Sequence, residues 1–170
     1  MTQSKEDFWA LIEATAPGDS AGTEAHVEAI EEALAAQSPE QIIRFGETLA
    51  RLAAPLYTWN LWAVAYVAMG GCSDDAFDYF RMWVIAQGRS YYDAALTNPV
   101  RAADRIDEET EAECEGLDYV AMIAYEKTTG SPVSEPTTHT GAPESPAGEP
   151  FDEATVHLRF PELVARFGSG

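Results

Sequence analysis

Residues 59–89 read WNLWAVAYVAMGGCSDDAFDYFRMWVIAQGR, and the second half of this stretch predicts the central helix of the fold. Ser73 precedes two aspartates, an order typical of a helix N-terminus, where the hydroxyl accepts from a free backbone N–H and the dipole favours negative charge. From Asp74 to Gln87, apolar residues cover most of the helical circumference. A helix that is apolar nearly all round is usually buried at the centre of a domain. We therefore expect an all-α fold built around residues 74–87.

The flanking sequence predicts further helices on both sides. Ser38-Pro39-Glu40-Gln41 has the pattern of a capping box with proline at the first helical position. Gly70-Gly71 is expected to end the preceding helix, because glycine tolerates the left-handed conformation found after helix C-termini. Six helices are predicted, and they begin after Ser4, at about Thr23, after Ser38, at about Trp59, after Ser73 and at about Asp107. The last of these extends to about Thr128. A short helical piece is also expected around 91–96. The expectation is a single compact helical domain of about six helices.

Composition divides the chain into three parts. Residues 1–130 form the predicted helical domain. Residues 131–150, SPVSEPTTHTGAPESPAGEP, contain no large apolar side chain except Val133, so nothing offsets the entropy of ordering them and a flexible segment is expected. Residues 151–170 regain helical spacing and are expected to pack back on the domain, although Pro161 breaks or restarts that segment.

The charge balance narrows the classes of partner. The chain has 29 acidic and 10 basic residues, a formal net charge of −19 at pH 7, and no cluster of lysine and arginine. Such a surface repels phosphate, so neither nucleic acid nor an anionic membrane is an expected partner. There is no signal-peptide pattern and no apolar run long enough to span a membrane, which predicts a cytoplasmic protein. The oligomeric state stays open.

The motifs of common enzymes are missing from the sequence. It lacks a Gly-x-Ser-x-Gly turn, a phosphate-binding loop, a dinucleotide fingerprint and a His-Glu-x-x-His motif. Two cysteines are too few for a disulfide framework or a zinc motif, and we predict no cofactor and no metal site. Cys72 precedes a helix start, a position that can lower a thiol pKa, but a lone cysteine there is more often a small buried side chain. Whether the protein is an enzyme stays open.

The polar residues of the central helix admit three interpretations. Asp74, Asp78 and Arg81 fall on one line at i, i+4 and i+7. They can be structural, with caps at the helix start and an ion pair between Asp78 and Arg81. They can instead form the polar floor of an aromatic pocket, since pockets combine apolar walls with few polar groups. The ligand-pocket candidates are Trp59, Trp62, Asp74, Asp78, Tyr79 and Arg81. Metal binding by Asp74, Asp75 and Asp78 lacks the spacing of a calcium loop.

An acidic stripe is expected on the last long helix. Its members recur at helical spacing: Asp104, Glu108, Glu111, Glu115 and Asp118. A charged stripe opposite an apolar face is usually a solvated surface. However, like charges four residues apart repel, and few basic residues relieve them here. The stripe is therefore also a candidate docking surface for a basic protein partner.

Three stretches together resemble a known family. They are FWALIE at 8–13, the motif WNLWAVAYVAMGGCSDDAFDYFRMWVIAQGR at 59–89, and EGLDYVAMIAYEKTTG at 115–130. These resemble the bacterial domain of unknown function numbered 4240 over residues 4–130, and RFPELVARFG resembles the usual end of such chains. The resemblance implies a small, mostly helical, cytoplasmic domain, with residues 131–150 particular to this chain. It implies no activity and no catalytic residues.

Two functional hypotheses follow from these patterns. The first is an acidic cytoplasmic interaction module that binds a basic protein partner through the stripe. The alternative is a small-molecule-binding protein or enzyme that uses the aromatic pocket, with Asp78 and Arg81 at its floor.

Overall fold

The computed structural model describes residues 5–18, 23–133 and 143–168. Within these ranges the chain forms eight α-helices, three short 3₁₀ helices and no strand, so the predicted all-α fold is confirmed. The expected number of about six helices is slightly low, because one short helix follows the central helix and another lies near the C-terminus. The helices are α1 (Lys5–Ala14), α2 (Thr23–Ala35), α3 (Pro39–Ala53), α4 (Trp59–Met69), α5 (Asp74–Ala86), α6 (Arg89–Thr97), α7 (Glu115–Thr129) and α8 (Pro161–Phe167). None of them is long and apolar enough to cross a membrane.

Local signals placed the middle helices correctly. Ser38 and Gln41 form the predicted capping box: the serine hydroxyl accepts from the Gln41 N–H, and the glutamine side chain accepts from the Ser38 N–H. The Ser73 hydroxyl accepts from the N–H of Ala76 at 3.2 Å and caps α5. Gly70 ends α4 with φ of 71°, the left-handed region in which a side chain would be strained.

Removal of either serine cap should destabilise the protein modestly. Ser38→Ala and Ser73→Ala each remove the side-chain acceptor of one N–H at a helix start, so each should lower the free energy of unfolding by about 1 kcal/mol. The bond from the backbone N–H of residue 38 to the Gln41 side chain is retained in Ser38→Ala, so the two variants should cost about the same. Urea denaturation checks both variants. Ser90→Ala is the matched control, since Ser90 is exposed in α6, and it should change stability by less than about 0.5 kcal/mol.

The central helix is buried as expected. Seven residues of α5 are buried: Phe77, Phe80, Met82, Trp83, Val84, Ile85 and Ala86. Helix α7 packs against α5 as well as against α2 and α3. The close approach of α2 to α7 requires glycine at position 116 of α7, because a Cβ atom there would lie 2.9 Å from a methyl group of Val27 on α2. The core therefore holds α2, α3, α5 and α7 in fixed mutual positions.

The predicted helix over about 107–128 is wrong in its first half, since α7 begins at Glu115. The Asp107 carboxylate accepts from the Glu109 N–H and from the Thr110 hydroxyl, and that hydroxyl accepts from the Asp107 N–H. Such local bonds give the backbone an alternative to a helix. Next, Ala112 and Cys114 are buried in the irregular stretch 110–114, in which the Cys114 N–H donates to the carbonyl of Tyr79.

The C-terminal part contacts the helical domain at several points. Leu163 is buried, and α8 packs against α4. Ala147 pairs with Thr58, just before α4, as an isolated parallel bridge. The flexibility expected for residues 131–150 stays a prediction, and residues 134–142 within that segment lie outside the described residues.

Candidate functional site

Four aromatic rings from α4, α5 and the turn before α4 form one stack. Trp59 and Trp62 lie with ring centroids 5.2 Å apart and planes 3° from parallel. Trp62 stacks on Phe77 at 5.0 Å, and Tyr57 lies 6.1 Å from Phe77 at an angle of 24°. We call Tyr57, Trp59, Trp62 and Phe77 the aromatic stack. One turn of α4 separates the two tryptophans, so helical spacing places both rings on the same face.

Arg81 lies at the Tyr57 and Phe77 end of the aromatic stack. Its guanidinium is 4.6 Å from the centroid of Tyr57 and 5.5 Å from that of Phe77, within range of cation–π attraction. One terminal nitrogen donates to the carbonyl of Ala53 at 3.1 Å, and the other pairs with Asp78. Its Nε has no hydrogen-bond partner among the described residues. These contacts tie α5 to the end of α3.

The far side of the stack is covered by the C-terminal part of the chain. The ring of Phe151 lies 5.8 Å from that of Trp59 and 6.1 Å from that of Trp62 between centroids, nearly perpendicular to both at 84° and 83°. It also lies 5.5 Å from Tyr66. Edge-to-face contacts of this kind are favourable because the positive ring edge meets a negative ring face. A side chain of the protein thus lies against both tryptophans.

The ligand-pocket candidates are divided by the structure. Trp59 and Trp62 are brought together, and Asp78 pairs with Arg81 beyond Phe77. Tyr79 instead donates its hydroxyl to Glu115 at 3.1 Å, and Asp74 is exposed at the start of α5. The hypothesis of a pocket with Asp78 and Arg81 at its floor stays a prediction.

Cys72 is held as a neutral thiol. Burial is the main cause that raises its pKa to about 12, and the charges of Glu113 and Asp74 raise it further. The backbone carbonyl of Cys72 accepts from the Trp62 indole N–H at 2.9 Å, which fixes the ring. Burial likewise raises the pKa of Cys114 to about 11. Neither cysteine supplies a thiolate at neutral pH, although the position of Cys72 before a helix suggested that it could.

The docking candidates no longer form a single helical stripe. Asp104 follows the 3₁₀ helix Pro99–Ala103, Glu108 lies in a turn and Glu111 in the irregular stretch 110–114, so only Glu115 and Asp118 are on α7. Glu108 and Glu111 line a cleft of about 490 Å³ beside the end of α4. The guanidinium of Arg166 closes one side of it by donating to the carbonyls of Asp104 and Ile106.

Carboxylates from two distant parts of the sequence meet around Tyr79 and Cys72. The pKa of Tyr79 is raised to about 12, mainly by its hydrogen bond to Glu115, with burial and the charges of Glu115 and Asp75 adding to the shift. Glu113 and Asp74 act together on Cys72. The start of α5 and the stretch leading into α7 therefore present one negative surface.

Two exposed apolar side chains adjoin this surface. Tyr119 and Met122 are 40% and 39% exposed, and they follow Glu115 at i+4 and i+7 on α7. We call the surface formed by Asp74, Asp75, Glu113, Glu115, Tyr119 and Met122 the acidic face. Of these six residues, sequence reasoning predicted only Glu115 as a docking residue and missed Asp74, Asp75, Glu113, Tyr119 and Met122 in that role. Helical spacing from Glu115 was a signal that could have found the last two, whereas nothing in the sequence places Asp74 beside Glu113.

No group of three or more His, Cys, Asp or Glu side chains arranged to hold a metal ion occurs within the described ranges.

A family model described as "Protein of unknown function (DUF4240)" matches residues 1–127. Comparison with curated proteins and with solved structures found no match.

Proposed function

The chain belongs to the DUF4240 family of proteins of unknown function, and from that premise we propose that it is an acidic helical interaction module that binds a basic protein partner. The acidic face is the proposed docking surface. The observation that carries the proposal is the meeting of Asp74 and Asp75 with Glu113 and Glu115 beside two exposed apolar side chains. A basic segment with an apolar anchor complements such a surface in both charge and shape.

The carboxylates of the acidic face, Asp74, Asp75, Glu113 and Glu115, form no ion pair with a lysine or arginine among the described residues. Arg105 is the only basic residue between positions 104 and 118. Arg105 donates to the carbonyl and side chain of Gln87 and lies 4.9 Å from the ring centroid of Tyr91, so it is directed elsewhere. Uncompensated charge of one sign steers an oppositely charged partner and raises its association rate.

Tyr119 and Met122 provide the apolar part of the proposed interface. Tyrosine is enriched among the residues that dominate binding energy, and methionine adapts to irregular surfaces. Charge alone would attract any polycation, whereas an apolar anchor selects partners that place an apolar side chain between basic ones. This combination favours a protein segment over a simple polyamine.

A second observation favours the interaction module over the small-molecule alternative. Phe151 already covers the two tryptophans that the pocket hypothesis requires, and Arg81 and Asp78 are engaged with each other. The carboxylates of Asp74, Asp75 and Glu115 are exposed. A cytoplasmic location in a bacterial cell is part of the proposal and is consistent with two free cysteines.

Reversal of two charges on the acidic face should abolish binding of a basic probe. The probe is a labelled 12-residue peptide in which lysines and arginines surround a central Phe-Leu pair, measured by fluorescence anisotropy. Asp75→Lys with Glu115→Lys should weaken binding at least about tenfold, because two attractions become repulsions. Binding to the wild type should also weaken between 50 and 200 mM salt, about the range in which exposed charges become screened.

Two controls separate a docking surface from bulk charge. Glu6→Lys with Glu47→Lys changes the net charge equally on α1 and α3, both exposed positions, and should reduce binding less than threefold. Tyr119→Ala with Met122→Ala leaves the charge unchanged and should weaken binding about tenfold. The proposal would be contradicted if both charge-reversal pairs weakened peptide binding equally. It would also be contradicted if truncation of Tyr119 and Met122 left peptide binding unchanged.

A further inference from the structure

The segment Ala147–Phe151, which we call the strap, is held in the way an extended peptide ligand is held. The Ala147 N–H donates to the carbonyl of Tyr57 at 3.0 Å, and the Trp59 N–H donates to the carbonyl of Ala147 at 2.9 Å. Trp59 is the first residue of α4, so its N–H has no acceptor within the helix. The strap supplies that acceptor. Pairing of an extended segment with free backbone groups is a recurring mode of peptide recognition.

An aromatic anchor lies four residues further along the strap. Phe151 is half-buried against Trp59, Trp62 and Tyr66, which project from successive turns of α4. Backbone pairing at one end holds any extended sequence, whereas a ring cluster at the other end selects an aromatic side chain. Together they define a groove with both affinity and selectivity.

The shape of the strap between these two points is maintained by Arg159. Its guanidinium donates to the carbonyls of Glu149 and Pro150, each at 2.9 Å, and to the Asn60 side chain at 3.3 Å. Asn60 belongs to α4, so the arginine links the strap to the helix that carries the rings. Loss of these bonds would loosen the strap without removing any part of the groove.

The groove and its occupant come from different parts of the chain. Tyr57, Trp59, Trp62 and Tyr66 all lie within residues 1–127, the range that matches the family. The strap lies outside that range. The groove therefore lies within the matched range, and the strap that fills it lies outside that range.

We propose that the groove between residues 57 and 66 is a peptide-binding site that the strap occupies in cis. Its external ligand is an extended protein segment with a small residue at the position of Ala147 and an aromatic residue four positions later. Covalent attachment gives the strap an effective concentration in the millimolar range, so it competes with such a ligand. Release of the strap makes the site available.

The test uses the full chain and a labelled peptide of residues 145–153, SPAGEPFDE, measured by fluorescence anisotropy. Phe151→Ala weakens the cis anchor, and Arg159→Gln loosens the strap while the anchor is retained. Both variants should bind the peptide at least tenfold more tightly than the wild type does. A peptide with alanine in place of its phenylalanine should bind neither variant. Leu158→Ala is the matched control, because Leu158 follows the strap in the C-terminal part of the chain and is 67% exposed. This variant should bind the peptide as the wild type does.

Each outcome has a definite consequence. Equal affinity of wild type and both variants, or binding that does not depend on the phenylalanine, would overturn the proposal. If Phe151→Ala loses its helical circular dichroism, Arg159→Gln decides alone. Light scattering of both variants is measured in parallel, and strap-dependent dimers would show that a second copy fills the groove, which would overturn the assignment of an external ligand. Variants of the acidic face should bind SPAGEPFDE unchanged, so this result is separable from the proposed docking of a basic partner.

Discussion

Phe80→Ala is expected to lower the free energy of unfolding by about 3–5 kcal/mol, the largest stability effect that we predict for a single substitution. Phe80 is fully buried at the middle of α5 and stacks on Trp83 with ring centroids 5.9 Å apart. Truncation removes the transfer free energy of the ring and leaves a cavity. Because α5 is buried on most sides and packs on α7, neighbouring side chains have little freedom to fill it.

Urea denaturation followed by circular dichroism measures this cost. Leu158→Ala is the control, since it removes an exposed apolar side chain and should change stability by less than about 0.5 kcal/mol. A cost below about 1 kcal/mol for Phe80→Ala would mean that α5 does not form the centre of the core. An unchanged midpoint with a changed denaturant slope would instead indicate an altered denatured state.

The fold was predictable where local chemistry determines it. The capping box at Ser38, the Ser73 cap and the left-handed glycine at Gly70 act within a few residues, so their patterns placed the ends of α3, α4 and α5 correctly. Apolar residues also cover most of the circumference of α5. Because the faces of a helix that avoid water are the apolar ones, this pattern predicts that α5 is buried.

The first half of the predicted last helix failed for an identifiable reason. Helical spacing of carboxylates from Asp104 to Asp118 matched a stripe, but periodicity says nothing about competing local bonds. The turn around Asp107 and Thr110 satisfies backbone groups that a helix would otherwise satisfy. Ile106, Ala112 and Cys114 are then buried by contact with other helices, which is tertiary information that a single sequence does not contain.

The candidate site shows the same division. Trp59 and Trp62 lie together because one helical turn separates them, a spacing that is visible in the sequence. Phe151 was not recognised, since a lone phenylalanine after a Pro-rich segment carries no sign of its partners. The meeting of Asp74 with Glu113 depends on how α5 packs beside the irregular stretch 110–114 that precedes α7. Spacing can identify members of one helix face, but it cannot join faces from separate elements.

Asp78→Asn should lower the free energy of unfolding by about 2 kcal/mol, a cost within the range for a hydrogen bond to a charged group. The side chain of Arg81 is 13% exposed, and its guanidinium is enclosed by Tyr57, Phe77 and the carbonyl of Ala53. Asparagine keeps an acceptor but removes the only charge paired with that guanidinium within the described ranges. The side chain of Asp78 is 49% exposed, so the cost should fall below the 3–5 kcal/mol typical of a fully buried pair.

A double-mutant cycle isolates the interaction from other effects of the substitution. Arg81→Met removes the charge and retains much of the apolar stem, and its combination with Asp78→Asn should cost clearly less than the sum of the two single variants. Asp93→Asn is the matched control, because its pair with Arg89 is exposed at both ends and should contribute less than about 1 kcal/mol.

A rise in melting temperature for Asp78→Asn would contradict the structural interpretation. Groups that serve binding or catalysis are often held at a cost in stability, so a rise would make Asp78 the first residue to test for ligand binding. A fall that disappears in the Arg81→Met background would instead show that Asp78 acts by holding the guanidinium of Arg81, which also donates to the Ala53 carbonyl at the end of α3.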